Sequence, residues 1–280
     1  MPVIGVFDSG VGGLSVLRAI RGQLPSADLL YFGDSAHIPY GSRPLAEVRE
    51  FSVAITRFLL ARDAQVIVVA CNTASAAALK HLRATFPVVP FVGMEPAVKP
   101  AAEQTQSKVV GVLATPATFQ GELFNSVVER FAQGVIVLSQ VCPGLVQQIE
   151  VGETDSPDTE AMLRGWVEPM LAQGIDALVL GCTHYPFVIP LLEKICGPAV
   201  RVIDPAPAVA RQAARVLSSR LTNRRGAGRQ GRGWVIYFTS GAAEMFRGAL
   251  LRLGVDENAE VREVRWCEAT IIDGTESEVC

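Results

Sequence analysis

Short apolar, β-branched runs alternate along the chain with longer stretches whose apolar residues recur every three to four positions. Residues 3–7, 29–32, 66–70 and 88–92 read as strands bounded by turn residues. Between them, 11–23 carries Leu14, Leu17 and Ile20 on one helical face, and 46–62 carries Val48, Phe51, Ile55, Phe58 and Leu59 in the same way. An Ala-rich helix over 73–86 follows the third run. Strands at 109–113, 134–139 and 177–180 then alternate with helices near 119–131, 159–172 and 186–195. Past Asp204 the pattern predicts helix 206–221, strand 234–239, helix 242–253 and strand 261–266. Strands alternating with crossover helices mean an α/β fold with mostly parallel sheets.

The pattern echoes itself. Val3-Ile4-Gly5-Val6-Phe7-Asp8-Ser9 returns 106 residues later as Val109-Val110-Gly111-Val112-Leu113-Ala114-Thr115. The strand at 66–69, with Ala70-Cys71-Asn72-Thr73, returns at an offset of 111 as 177–180 with Gly181-Cys182-Thr183-His184. Two similar offsets predict two related α/β halves, which suits 280 residues. The tail is short for a third domain and is placed back on the first half. The expected division is a discontinuous first domain, 1–95 with 210–280, and a second domain, 96–209.

Composition narrows the function classes. A charged fraction of 19% lies below the roughly 25% of an average soluble chain and points to much buried strand and helix. A net charge of −3 makes no electrostatic case for nucleic-acid binding. No apolar run nears the ~20 residues of a membrane span, and the N-terminus reads as a first strand rather than a signal peptide. A cytoplasmic protein with reduced thiols is expected. Its cysteines, at 71, 142, 182, 196, 267 and 280, include no C-x-x-C pair. The Gly/Arg segment 223–233 reads as a mobile surface loop.

Cys71 and Cys182 stand at matched places, each after an apolar strand and before a helix. Ligands of open α/β sheets bind beyond the carboxyl ends of strands, and helix starts favour thiolates and carboxylates. Two thiols facing one cavity suit inversion of a stereocentre: one removes a proton from carbon, the other supplies one to the opposite face. Redox pairing would normally bring C-x-x-C, and Cys182-x-His184 lacks the second pair of ligands a zinc site needs. Cys142, Cys196, Cys267 and Cys280 have no such setting and read as structural. Asp8, at a strand end, reads as an acid/base helper, and His184 as a proton relay. The glycines of Asp8-Ser9-Gly10-Val11-Gly12-Gly13 would let backbone N–H groups approach an anion. Asn72, Thr73, Thr115, Thr118 and Thr183 offer amide and hydroxyl groups to carboxylates. None of the four lysines, Lys80, Lys99, Lys108 and Lys194, lies at a strand-end motif, so pyridoxal phosphate is not expected.

At these residues the chain resembles the glutamate racemase family, of the cofactor-independent aspartate/glutamate racemase superfamily. The matching segments are Phe7-Asp8-Ser9-Gly10-Val11-Gly12-Gly13-Leu14-Ser15, Pro39-Tyr40-Gly41, Ala70-Cys71-Asn72-Thr73-Ala74-Ser75 and Leu180-Gly181-Cys182-Thr183-His184-Tyr185-Pro186. His184 resembles the glutamate enzymes, since aspartate racemases tend to carry Glu there. The resemblance implies two pseudo-symmetric, Rossmann-like α/β domains with the active site in the cleft between them. It implies that Cys71 acts on D-glutamate, helped by Asp8, and Cys182 on L-glutamate, helped by His184. Asp8, Ser9, Tyr40, Gly41, Asn72, Thr73, Thr118, Thr183 and His184 would form the glutamate site, with Glu150 near the substrate ammonium. No cofactor and no metal are implied. D-Glutamate would supply peptidoglycan synthesis. With almost no sequence before the first strand, activation by a cell-wall precursor is not expected, and the protein would be a homodimer or a monomer. A relative acting on aspartate or another acidic substrate, and an acidic-ligand binding module, are the alternatives.

Overall fold

The first apolar run forms β1 (Val3–Asp8), buried along its whole length. A central parallel strand is covered on both faces, which is why its sequence is continuously apolar rather than alternating. The computed structural model describes residues 2–221 and 231–273. It flanks β1 with β2 (Asp28–Gly33) and β3 (Ala64–Val69), both parallel to it, and β4 (Phe91–Gly93) extends the sheet beyond β3. A second, wholly parallel sheet contains β5 (Val109–Ala114), β6 (Ile136–Val141), β7 (Ala177–Gly181) and β8 (Arg201–Ile203). The chain then returns to the first sheet. There β9 (Val235–Thr239) pairs with β2, β10 (Glu260–Cys267) pairs with β9, and β11 (Thr270–Asp273) closes the edge antiparallel to β10.

The first sheet runs β11-β10-β9-β2-β1-β3-β4, and the second β6-β5-β7-β8. Strands β2-β1-β3-β4 and β6-β5-β7-β8 thus repeat one order, matching the echo of β1 in β5 and of β3 in β7. In each sheet the chain steps one way after its central strand and then crosses to the other side. The crevice beyond the carboxyl ends at that switch point is where such sheets bind ligands. Asp8 ends β1 and Cys71 follows β3 by two residues. Thr115 follows β5, and Cys182 follows β7.

Helices cover both faces. Leu14, Leu17 and Ile20 of helix Leu14–Gln23 share a core with Ala206, Val209, Ala210 and Ala213 of helix Ala206–Leu221. Helices Leu45–Leu60 and Asn72–Thr85 cover the other face through Val48, Ile55, Phe58, Ala78 and Leu82. Some boundaries differ from the sequence pattern. The first helix starts at Leu14 rather than 11, because Gly10–Gly13 is spent on a turn. The helix expected over 119–131 breaks at Gly121, which is extended, into Pro116–Gln120 and Glu122–Phe131. Helix Leu145–Glu150, only six residues long, is too short to show a period. Segment 223–233 falls largely outside the described residues, as does Cys280. Among the described residues no helix is long and apolar enough to cross a membrane.

Asp176, at the foot of β7, ties the turn that leads into β5. Its carboxylate accepts hydrogen bonds from Thr105 Oγ1 at 2.6 Å, Gln106 N at 2.5 Å and Ser107 N at 2.9 Å. Partial burial pushes the carboxyl up, but these bonds outweigh it and hold it at about 2 against an ordinary 3.8. A depressed carboxyl stabilises the fold above its unfolded value, and the effect is lost as pH falls through the folded one. Asp176→Ala should therefore lower unfolding free energy at neutral pH by about 1 kcal/mol. In urea titrations the deficit should persist above about pH 4 and shrink as pH falls toward about 2.

Candidate active site

A cavity of about 300 Å³ opens between the carboxyl ends of the two sheets, with Cys71 and Cys182 both on its wall. That volume is at the small end for ligand pockets and suits a compact molecule. Both thiols are free and buried, each 5% exposed. They reach the cavity differently. Cys71 is the N-cap of helix Asn72–Thr85, and its Sγ accepts the Ala74 N–H at 3.4 Å. Cys182 is followed first by a 3₁₀ turn, Tyr185–Val188, and its Sγ lies 3.8 Å from His184 Nδ1. The two halves match in strand order but supply different proton partners.

Burial and the nearby Asp8 carboxylate push the Cys71 thiol well above its usual value, against smaller help from backbone N–H groups. Burial also raises the Asp8 carboxyl, opposed by His184 and by hydrogen bonds. Asp8 is fully buried and accepts Gly10 N–H and Thr183 Oγ1–H, each at 3.0 Å. Burial pushes the His184 imidazole down, but Cys182 and Glu150 outweigh it, so His184 is raised well above 6.5. The partner of His184 Nε2 is Glu150 Oε1 at 2.6 Å. Cys182, His184 and Glu150 thus form a chain of thiol, base and carboxylate.

The cavity brings Ser9, Tyr40, Gly41, Asn72, Thr73, Thr183 and His184 together with the two thiols. Asp8, Thr118 and Glu150 do not line it. Thr118 stands behind Thr115, its Oγ1 2.9 Å from that of Thr115, which itself is 3.0 Å from Thr73 Oγ1 across the cleft. Glu150 accepts Val11 N–H at 2.9 Å instead of facing the cavity. The anion cradled by the glycine-rich turn is therefore a side chain of this protein. Tyr40 offers its ring, since its hydroxyl donates to buried Asp34 at 2.6 Å. Asp34 also accepts from Ser240 Oγ and Trp266 Nε1, which ties the returning tail to the cavity rim.

The Asn72 side chain is the clearest sign of a polar ligand. It lines the cavity, is 3% exposed, and neither its amide nitrogen nor its oxygen has a partner. Leaving such groups unpaired costs about 1–3 kcal/mol each, a cost a bound polar molecule removes. The sequence reading missed one wall, formed by Val141, Cys142, Pro143, Gly144, Val146 and Gln147. Cys142 is thus a cavity residue, not one without a setting, and its thiol is pushed up to about 12 by burial. Its place just after β6 was the available signal, because the other two thiols also follow strands. Cys196 is buried in the core of the second half. Cys267 ends β10 and does not line the cavity.

The chain matches the family model described as Asp/Glu/Hydantoin racemase over residues 12–213. It is 56% identical over 217 residues to a glutamate racemase of Roseiflexus sp. (strain RS-1), covering 78% of this chain and 80% of that one. The crystal structure of a glutamate racemase isoform from Bacillus anthracis superposes with a TM-score of 0.84 at 30% identity, covering 96% of this chain and 98% of that one. The Francisella tularensis glutamate racemase in complex with D-glutamate gives 0.79 at 28% identity, over 94% and 97% of the two chains. Matched over most of its length in sequence and nearly all of it in fold, the chain belongs to the Asp/Glu/Hydantoin racemase family, among its glutamate racemases.

Proposed function

We propose that the cavity binds glutamate and interconverts its enantiomers by proton transfer between two thiols, with no pyridoxal phosphate. The observation that carries this reading is the pair of buried thiols, one beyond the strand ends of each sheet, on the wall of one cavity. The Francisella relative's complex with D-glutamate supports the choice of substrate. None of the four lysines lines the cavity, so no ε-amino group is at hand there for an imine.

The two thiols do not start alike. Burial and Asp8 keep the proton on Cys71, which suits it to act first as the acid. His184 Nδ1 can take the Cys182 proton, and the Glu150 carboxylate stabilises the imidazolium that results. The Cys182 thiolate then removes the Cα proton of L-glutamate, leaving a carbanion-like intermediate. The Cys71 thiol donates its proton to the opposite face, and D-glutamate forms. The reverse reaction begins at Cys71 as thiolate, with Asp8 as its proton partner. The free amide of Asn72 and the hydroxyls of Thr73 and Thr183 suit the polar groups of the amino acid. The product would serve peptidoglycan synthesis in the cytoplasm.

Incubation with L-glutamate in D2O, without pyridoxal phosphate, should place deuterium at Cα as D-glutamate appears by circular dichroism and mass spectrometry. No exchange would refute the reading. Cys71→Ala and Cys182→Ala should each lower racemisation by roughly 1,000-fold or more; normal turnover in either would remove the two-thiol mechanism. His184→Asn and Asp8→Asn should lower kcat by about 100-fold or more, with a smaller change in KM, in steady-state assays run in both directions.

A further inference from the structure

The turn that leaves β1 belongs to the first sheet, yet the neighbours of the second thiol are tied to it. Glu150 Oε1 accepts the Val11 N–H. Thr183 Oγ1 donates to Asp8 Oδ1 at 3.0 Å. Ser15 Oγ shares its proton between the carbonyls of Gly12 at 2.9 Å and Thr183 at 3.0 Å. Thr183 is therefore held at both ends by the first half, its hydroxyl by Asp8 and its carbonyl by Ser15. It is also the residue between Cys182 and His184. The approach leaves no slack, since a Cβ on Gly12 would stand 2.7 Å from Thr183 Oγ1. Ser15 is buried, 4% exposed, in the first turn of helix Leu14–Gln23, whose apolar face is fixed in the first core. It does not line the cavity and touches no reacting atom.

We propose that Ser15 is a positioning residue for Cys182, acting across the cleft through the Thr183 carbonyl. The inference rests on the two-thiol reading above. The segment 182–184 carries both the thiol and its base, so a shift of its backbone moves Sγ relative to Cα and to His184 Nδ1 together. Misplacement of reacting groups by about 1 Å costs on the order of 100-fold in rate. The hydroxyl of Ser15 resists that shift because the helix behind it belongs to a packed core. Cys71 has no tie to Ser15: its segment is held by its own helix and by Ser75, whose hydroxyl donates to the Val69 carbonyl.

Isotope effects separate the two thiols. Deuterium effects on kcat/KM are measured with [2-2H]-L-glutamate and with [2-2H]-D-glutamate for wild type, Ser15→Ala and Ser15→Thr, with folding checked by thermal unfolding. Ser15→Ala should lose about tenfold in kcat/KM, equally in both directions, because the enantiomers are equal in free energy. Its isotope effect should rise with L-glutamate, where the slowed step at Cys182 breaks the Cα bond. It should fall toward unity with D-glutamate, where Cys71 breaks that bond and reprotonation by Cys182 becomes limiting. Ser15→Thr, which keeps the hydroxyl, should restore the wild-type pair of values. Should Ser15→Ala not fold, Ser15→Cys, a weaker donor of similar size, makes the same comparison. Wild-type exchange with unchanged isotope effects in the variant, or no restoration by Thr, overturns the role of Ser15 alone. A wild type without Cα exchange overturns the racemisation reading, and this inference with it.

Discussion

The Glu150 carboxylate joins the two halves beside the cavity. Its Oε1 accepts a backbone N–H from Val11 of the first sheet's turn and meets His184 Nε2 from the second sheet. An anion in a partly buried position needs such donors, because desolvation without partners is expensive. The glycine-rich turn supplies one donor only by coming very close, and Gly10 and Gly12 are the residues that allow it. At Gly10 a Cβ would strike the Glu150 carboxylate, and at Gly12 it would strike the His184 ring. The same approach lets Thr183 reach Asp8 and Ser15 reach Thr183, so the fit of this turn against the other half holds two residues of the cavity wall, Thr183 and His184.

The repeat in the chain is a repeat of strands, not of proton chemistry. Strands β2-β1-β3-β4 and β6-β5-β7-β8 share an order, and each sheet presents a thiol beyond its carboxyl ends. One thiol is capped by a helix N–H and lies near a buried carboxylate, whereas the other lies beside an imidazole backed by a carboxylate. A reaction that removes a proton on one side and returns one on the other needs two thiols in opposite states at each start. The different neighbours of the two thiols suit that difference in the reaction proposed above.

Much of this was legible in the residues. Continuous apolar runs such as 3–7 announce strands covered on both faces, and the offsets of 106 and 111 pair β1 with β5 and Cys71 with Cys182. What escaped has identifiable causes. Helix Leu145–Glu150 has too few residues for a period, so the wall it carries and the true orientation of Glu150 were hidden. Cys142 stands isolated in the sequence pattern because the apolar run there suggests a strand ending at 139, whereas β6 ends at Val141. Thr118 and Thr115 are alike in sequence, and only the folded chain places Thr115 on the cavity wall with Thr118 hydrogen-bonded behind it.

The residues alone announce the α/β class, two related halves and a cysteine at a matched strand end in each, because these depend on local periodicity and on residues next to strand ends. The docking of the two halves settles that the glycine turn cradles Glu150 rather than a ligand. The tertiary structure also turns the Tyr40 hydroxyl to Asp34 and holds Thr183 from the opposite half. The contacts of Glu150 and of Thr183 join segments 139 and 175 residues apart in the chain, whereas Tyr40 meets Asp34 within one loop. Hydrogen-bond partners at such separations are chosen by how two packed cores dock, and docking leaves no period in a linear sequence.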